Sequence, residues 1–197
     1  MNDYVDMSSR LTERGRGEDT PRGLQVESIA DVTKEPVSVG NALAYLRFSD
    51  LPSDQVHVLE MLISTVREQA EKLTRRLMTR RQVVARWDYW ARRGDLVFPP
   101  VGTVSTVERV ASDGTATTLS DSAYHLEGRS LVLDTDETAE EQALRVTYEA
   151  GYQSLPQALK VAMLDDLDAR YDGRGTMSEA TFSEIPKPSI YKRFRAY

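Results

Sequence analysis

Apolar residues recur at alternating steps of three and four between Val56 and Leu77, which is a heptad stripe along one face of a long helix. Ser53 begins this helix. We expect the stripe to pack on a sheet of the same domain, and a coiled-coil seam is the alternative. A shorter helix is predicted from Ser38, whose hydroxyl can cap its first turn, to Phe48. The stripe comprises Val56, Leu59, Ile63, Val66, Ala70, Leu73 and Leu77.

The hydrophobic period changes to two after residue 82, which predicts a strand whose one face carries Val83, Ala85, Trp87 and Tyr89. Further strands are predicted at residues 96–98, 104–110, 124–126, 131–133 and 144–148. Turns between them are predicted at Gly94-Asp95, Asp113-Gly114 and Gly128. Short strands separated by turn residues are typical of a small, mostly antiparallel sheet.

The last strand is followed closely by a helix. Gly151 permits a positive φ after the strand, and Pro156 suits the first turn of a helix that runs to about Tyr171. The sequence therefore predicts an α+β fold in which helices pack on a small antiparallel sheet, with extended N- and C-terminal arms.

Three segments are predicted along the chain: a flexible arm at residues 1–37, a domain at 38–173 and a tail at 174–197. The arm carries mixed charge, little apolar periodicity and several glycine and proline residues. It is either disordered without a function or an arm that orders on a neighbouring subunit.

Composition argues against most catalytic chemistry. The chain of 197 residues has no cysteine and two histidines, His57 and His125, and neither histidine lies in a nucleophile or zinc motif. Asp165 and Asp168 share a helix face while Asp166 points away, a pattern that a solvated face explains. We therefore expect no catalytic residue, cofactor or metal. No apolar run is long enough to span a membrane, and a net charge of −6 disfavours tight DNA binding.

Arginines cluster where the long helix ends and the first predicted strand of the sheet follows. Cations near a helix C-terminus are stabilised by its dipole, which explains part of the cluster. The alternative is a contact surface for an acidic partner or for DNA phosphates. The candidate basic surface comprises Arg75, Arg76, Arg80, Arg81, Arg92 and Arg93.

The end of the tail is basic and aromatic, unlike the acidic remainder of the chain. Aromatic residues and arginine anchor many protein interfaces, so we expect this segment to insert into another subunit or partner; folding back onto its own domain is the alternative. The candidate docking residues are Ile190, Tyr191, Lys192, Arg193, Phe194, Arg195 and Tyr197.

The order of these segments resembles the head-tail connector (adaptor) proteins of long-tailed bacteriophages and gene-transfer agents. A short and a long helix precede a strand centred on Trp87, a proline-bearing strand at residues 98–101 and a valine-rich strand at 104–110. An aspartate-glycine turn, the 131–133 strand and the 146–160 junction complete the series.

The resemblance implies a structural protein of the virion neck, assembled in the host cytoplasm. Such proteins form a homo-oligomeric ring, usually dodecameric, that joins the portal protein to the next neck (stopper) protein. DNA passes through the axial channel without sequence-specific binding. Their C-terminal segment tends to reach the portal, which corresponds here to residues 189–197.

Three other functions are also compatible with the sequence. The first is a different neck or tail-completion protein, which would not bind the portal directly. The second is a DNA-binding regulator that uses the arginine cluster between Arg75 and Arg93, and it would bind duplex DNA in a salt-sensitive way. The third is an enzyme that uses Asp165 and Asp168.

Overall fold

The computed structural model describes residues 23–134 and 142–173. Within them the chain divides into two compact units. We call residues 23–31, 80–134 and 142–151 the β unit, and residues 32–79 and 152–173 the helical unit. Antiparallel sheets make up the first and three helices the second, which confirms the predicted α+β class. The docking residues 190–197 lie outside the described residues, as do residues 1–22 of the predicted arm.

The β unit contains two antiparallel sheets. Its strands are β1 (Leu24–Ile29), β2 (Arg81–Trp87), β3 (Arg93–Asp95), β4 (Val101–Val110), β5 (Ala116–Thr118), β6 (Tyr124–Glu127), β7 (Ser130–Leu133) and β8 (Ala143–Ala150). The larger sheet has the order β1-β2-β8-β4-β5 and the smaller one the order β3-β7-β6. A 3-10 turn, Asp121–Ala123, precedes β6.

Alternation of side chains places the core of the larger sheet on one face of its central strands. In β2, Val83, Ala85 and Trp87 are buried, as their period-two spacing predicts. Ala85 pairs with Val146 and Val83 with Tyr148 on β8, so the two strands bury matching positions. The Tyr148 hydroxyl donates a hydrogen bond to the Val97 carbonyl at 3.2 Å. Burial raises the pKa of this phenol well above its ordinary value.

Part of the predicted N-terminal arm is a strand. β1 pairs with β2 at the edge of the larger sheet, and Leu24 is buried. A register shift between Val26 and Ser28 interrupts the ladder. Leu24 and Val26 follow a period of two, but this bulge moves the next apolar residue to Ile29. The broken alternation is the reason that the sequence pattern does not indicate a strand here.

The predicted turn at Gly94-Asp95 is also a strand, β3, and the strand predicted at residues 96–98 is absent from the described structure. Gly94 lies directly against the indole of the buried Trp87: a Cβ placed there would be 2.7 Å from Trp87 Cε2. Asp95 accepts hydrogen bonds from Ser130 and from Arg129, whose Nη2 is 2.9 Å away. The Ser130 hydroxyl and the Arg129 guanidinium lower the pKa of the Asp95 carboxyl. Tertiary contacts therefore override local turn propensity.

The strand-to-helix junction has the predicted form. Gly151 follows β8 with a φ of 97°, and its amide donates to the Pro100 carbonyl at 2.9 Å. This left-handed conformation is one that glycine adopts without steric cost. Pro156 then precedes the closing helix.

Three helices form the helical unit: α1 (Val39–Tyr45), α2 (Ser53–Thr74) and α3 (Gln157–Gly173). The Ser38 hydroxyl accepts a hydrogen bond from the Asn41 amide at 3.2 Å, which confirms the predicted N-cap of α1. Leu59, Ile63, Val66 and Ala70 of the apolar stripe are buried together with residues of the other helices, whereas a sheet was the predicted partner. The shared core includes Ala42, Leu59, Ile63, Val66, Ala70, Leu159, Met163 and Leu167.

Charged side chains are buried beside this core. Arg170 and Asp166 of α3 are 2% and 1% exposed and form an ion pair at 3.2 Å, and Arg170 also donates to Gln69 of α2 at 2.5 Å. On α2, Glu71 accepts from Arg67 at 3.3 Å and from the Met78 amide at 2.9 Å. These contacts join α3 to α2 and hold the chain that leaves α2.

The end of α1 is a Schellman motif. The amide of Phe48 donates to the Leu43 carbonyl at 3.0 Å, and the amide of Arg47 donates to the Ala44 carbonyl at 3.4 Å. Arg47 has a φ of 61°, the left-handed conformation that this motif requires. A side chain in this conformation brings its Cβ close to the carbonyl oxygen, so glycine suits the position better.

Replacing Arg47 with glycine is expected to raise the free energy of unfolding by about 0.5–1 kcal/mol, because relief of the left-handed conformation exceeds the added entropy of the unfolded chain. Urea denaturation measures the change. Arg47→Ala removes the same charge but keeps the Cβ, and it should produce no such gain. Equal stabilisation by both variants would show that the charge, and not the backbone, is responsible.

Candidate functional site

The candidate arginines are divided between the two units, and within the β unit Arg80 and Arg93 lie near opposite ends of β2. Arg80 and Arg93 belong to the β unit, and Gly94 lies against Trp87 at the far end of β2 from Arg80. With seven residues, β2 is roughly 20 Å long. Arg80 is 3.5 Å from Glu149, and Arg93 is 2.6 Å from Glu127, so neighbouring carboxylates offset both charges. Arg81 begins β2 and Arg92 precedes β3, while Arg75 and Arg76 follow α2 in the helical unit.

The aspartates of α3 separate into two environments. Asp165 and Asp168 are exposed, as a solvated face predicts, whereas Asp166 is buried in its ion pair with Arg170. Among the described residues, no group of three or more histidine or acidic side chains is placed to hold a metal ion. The acidic cluster is therefore a surface feature plus a structural ion pair.

An exposed aromatic and acidic surface lies where α1 meets α3. Five large apolar side chains are exposed among the described residues. Three of them lie here: Tyr45 in the last turn of α1, Phe48 three residues beyond it, and Val161 in α3. Val161 precedes Asp165 by one helical turn, and Asp168 follows by three residues, so the three share a side of α3. We name Tyr45, Phe48, Val161, Asp165 and Asp168 the α1–α3 face.

Direct contacts hold this face together. The Tyr45 hydroxyl donates a hydrogen bond to Asp165, and the rings of Phe48 and Tyr171 are 5.3 Å apart at 54°. The hydrogen bond to Asp165 raises the pKa of Tyr45, with smaller contributions from desolvation and the nearby carboxylate charges. Sequence reasoning did not predict this face. The sequence signal for it was Val161, an apolar residue that does not belong to the buried stripe of α3. That stripe comprises Leu159, Met163, Leu167 and Tyr171.

A shallow groove also lies along the N-terminal half of α2. Its volume is about 470 Å³, and Met61 beside it is 64% exposed. Exposed methionine adapts to differently shaped partners, which suits an interaction surface. The groove is lined by Lys34, Glu35, Val37, Ser38, Val39, Glu60, Met61, Ile63 and Ser64.

Charged side chains alternate along the exposed side of the smaller sheet. Arg93 is 2.6 Å from Glu127, Glu127 is 3.4 Å from His125, and His125 Nδ1 is 2.6 Å from Asp134. The hydrogen bond to Asp134, followed by that to Glu127, raises the pKa of His125. The guanidinium of Arg93 is the main cause of the lowered pKa of Glu127.

We expect His125 to titrate above the ordinary histidine pKa of about 6.5. Because the folded-state pKa is the raised one, the stability that these contacts supply is fully present below pH of about 6.5 and is lost as pH rises through the folded pKa. NMR titration of the His125 imidazole measures its pKa in the folded protein. Asp134→Asn should lower the pKa toward the ordinary value, and an unchanged pKa in that variant would contradict the assignment.

No helix among the described residues is long and apolar enough to cross a membrane. No known protein family matches the sequence, and no curated protein does. Solved structures do match. A chain from the neck of an empty gene transfer agent (GTA) particle, computed with C6 symmetry, has a TM-score of 0.67 and 18% identity, and the match covers 86% of this chain and 96% of that one.

Two further chains are similar. One, from the virion of a native GTA particle, has a TM-score of 0.64 and 19% identity, with coverage of 86% and 95%. The other, from the neck of a native GTA particle computed with C12 symmetry, has a TM-score of 0.55 and 19% identity, with coverage of 86% and 96%. At these identities the likeness establishes a shared fold.

Proposed function

We propose that this chain is a structural protein of a virion neck: a head-tail adaptor that forms a ring, joins the portal to the next neck protein and surrounds the DNA channel. One observation carries the proposal. The fold matches chains from GTA necks over 96% of their length, so nearly the whole of those chains has a counterpart here. A shared module inside an unrelated protein would leave much of one chain unmatched.

Ring closure needs two different patches on each subunit, because a cyclic contact is head to tail. Among the described residues, the α1–α3 face and the groove along α2 are separate surfaces with exposed apolar side chains. Their chemistry is that of protein interfaces, in which apolar and aromatic anchors are surrounded by polar groups. Two of the similar chains come from particle necks computed with C6 and C12 symmetry, which supports a cyclic ring, and the C12 symmetry is that of a dodecamer.

The charge of the chain suits a conduit for DNA. The net charge is −6, and a wall that attracted phosphates would slow the passage of DNA. Arg80 and Arg93, two members of the candidate basic surface, are held beside Glu149 and Glu127. This arrangement supports passage of DNA without sequence-specific binding and weakens the alternative of a DNA-binding regulator. A strongly basic channel lining would contradict this part of the proposal.

Residues 189–197, which we name the basic aromatic segment, are proposed to dock on the portal. Its support is compositional: three aromatic rings alternate with lysine and arginine, the side chains that fill pockets and pair with carboxylates at interfaces. The mechanism is that of an anchor peptide. The rings enter apolar pockets of the partner, and the cations orient the segment against acidic groups.

Pull-down with the portal protein of the same genome tests the adaptor role. The full chain is expected to form ring-shaped complexes that are visible by negative-stain microscopy, and the mass of the complex gives the number of subunits. A chain without residues 184–197 is expected to lose portal binding. Circular dichroism of both chains controls for folding. If neither folded chain binds the portal, the adaptor assignment is wrong and another neck position replaces it.

A further inference from the structure

The α1–α3 face is an unusual surface for an isolated protein. Tyr45 and Phe48 are 40% and 38% exposed, and Val161 is 38% exposed. Tyr45 donates to the exposed Asp165, Val161 lies one turn before Asp165 on α3, and the Phe48 ring packs against Tyr171, three residues after the exposed Asp168. Contiguous exposed apolar side chains with a polar rim mark interaction sites. A partner of matching chemistry would carry apolar or aromatic side chains together with positive charge.

One segment of this chain has that chemistry. Residues 185–197 contain four basic side chains and three aromatic rings and no acidic residue, although the chain as a whole has a net charge of −6. Lysine and arginine complement the two aspartates. Tyrosine and phenylalanine complement the exposed rings of Tyr45 and Phe48, with which they can form edge-to-face pairs.

The chain between the α1–α3 face and this C-terminal segment is short enough to favour a contact within one molecule. α3 carries the face and ends at Gly173, eight residues or roughly 12 Å beyond Asp165. Residues 174–189 can span up to roughly 50 Å, well beyond the distance required. A segment tethered in this way is present at an effective concentration on the order of millimolar, so modest complementarity is sufficient for binding.

We propose that the α1–α3 face binds the basic aromatic segment of its own chain, residues 189–197. The contact covers the exposed apolar side chains of an unassembled subunit and holds the segment until a partner competes for the same rings and cations. This inference goes beyond the proposed function, because the contact forms in a single isolated chain and does not depend on which partner the assembled protein meets.

Disulfide trapping in the full-length chain tests the contact, since the natural sequence contains no cysteine. Val161→Cys combined with Ser189→Cys places one thiol on the face and one at the start of the segment. Under mild oxidation we expect a disulfide within a single chain to form at least about tenfold faster than in Lys72→Cys with Ser189→Cys, where the first thiol is exposed on α2. Ala158→Cys, also exposed on α3, provides a second face position if the first variant misfolds.

Charge variants then test the recognition itself. Adding Asp165→Asn and Asp168→Asn should reduce the trapping rate to that of the Lys72 control. Adding Asp31→Asn and Glu60→Gln, which remove two other exposed charges, should leave the rate unchanged. Equal rates at the face and control positions would overturn the proposal. So would a product at twice the chain mass, which would assign the face to a neighbouring copy. Portal binding is measured separately, so failure here leaves the adaptor proposal intact.

Discussion

Replacing Asp166 with alanine is expected to lower the free energy of unfolding by about 3–5 kcal/mol, because it leaves the buried guanidinium of Arg170 without its carboxylate. Arg170 and Asp166 are 2% and 1% exposed, so water does not reach the cation to replace the lost ion pair. Gln69 accepts from Arg170 but carries no charge. Urea denaturation followed by circular dichroism measures the loss.

Two variants separate this effect from a general cost of mutating α3. Asp168→Ala removes an exposed carboxylate two residues away and should change stability by no more than about 0.5 kcal/mol. The double variant Asp166→Leu with Arg170→Leu removes both charges and should lose less stability than Asp166→Ala alone, because no unpaired charge stays buried. A double variant less stable than the single one would contradict the assignment of the cost to the stranded guanidinium.

Gly94→Ala is expected to destabilise the β unit by about 1–3 kcal/mol, the cost of forcing a methyl group into a filled site. The added Cβ would lie 2.7 Å from Cε2 and 3.1 Å from Nε1 of Trp87, which is itself 1% exposed and has little room to move. Either β3 or the indole must shift. Near-ultraviolet circular dichroism reports on the tryptophan environment, and urea denaturation reports on stability.

Gly40→Ala is the matched control for this substitution. Gly40 lies in α1, where the nearest atom to an added Cβ is Ser38 Oγ at 4.0 Å. The change should stabilise the protein by about 0.5–1 kcal/mol, since alanine favours a helix. In a Trp87→Leu background, the additional cost of Gly94→Ala should shrink because the ring is gone. An undiminished cost in that background would mean that the clash is not with Trp87.

Long periodic segments were predictable from the sequence because their signal repeats. The stripe of α2, the alternation of β2 and the Gly151 junction before α3 all match the structure closely. Each depends on a local rule, either a periodicity or the conformational freedom of one residue. The end of α2 at Thr74, three residues before Leu77, was less predictable, because Leu77 is buried without being helical.

Features that depend on distant residues were not predictable in this way. β1 was hidden by its bulge, and β3 contains a glycine-aspartate pair that resembles a turn until Trp87 and Ser130 are placed beside it. The partner of the α2 stripe followed from tertiary packing with α3, which no periodicity specifies. The sequence pattern therefore predicted which residues are buried. It did not predict which elements they pack against.

The same distinction applies to the candidate site. Composition alone marked the basic aromatic segment, but the surface that complements it required the structure. Tyr45 and Asp165 are 120 residues apart in sequence and meet only because α1 packs beside α3. The burial of Asp166, which separates it from its exposed neighbours, likewise depends on Arg170 and Gln69.

Cryo-electron microscopy of the chain in complex with the portal protein of the same genome tests the central claim most directly. The adaptor proposal predicts a closed, dodecameric ring of this chain, coaxial with the portal and continuous with its channel. Density for residues 189–197 should then extend from each subunit to the portal. Isolated copies away from the channel axis, or a portal that binds no copy of the folded chain, would contradict the account.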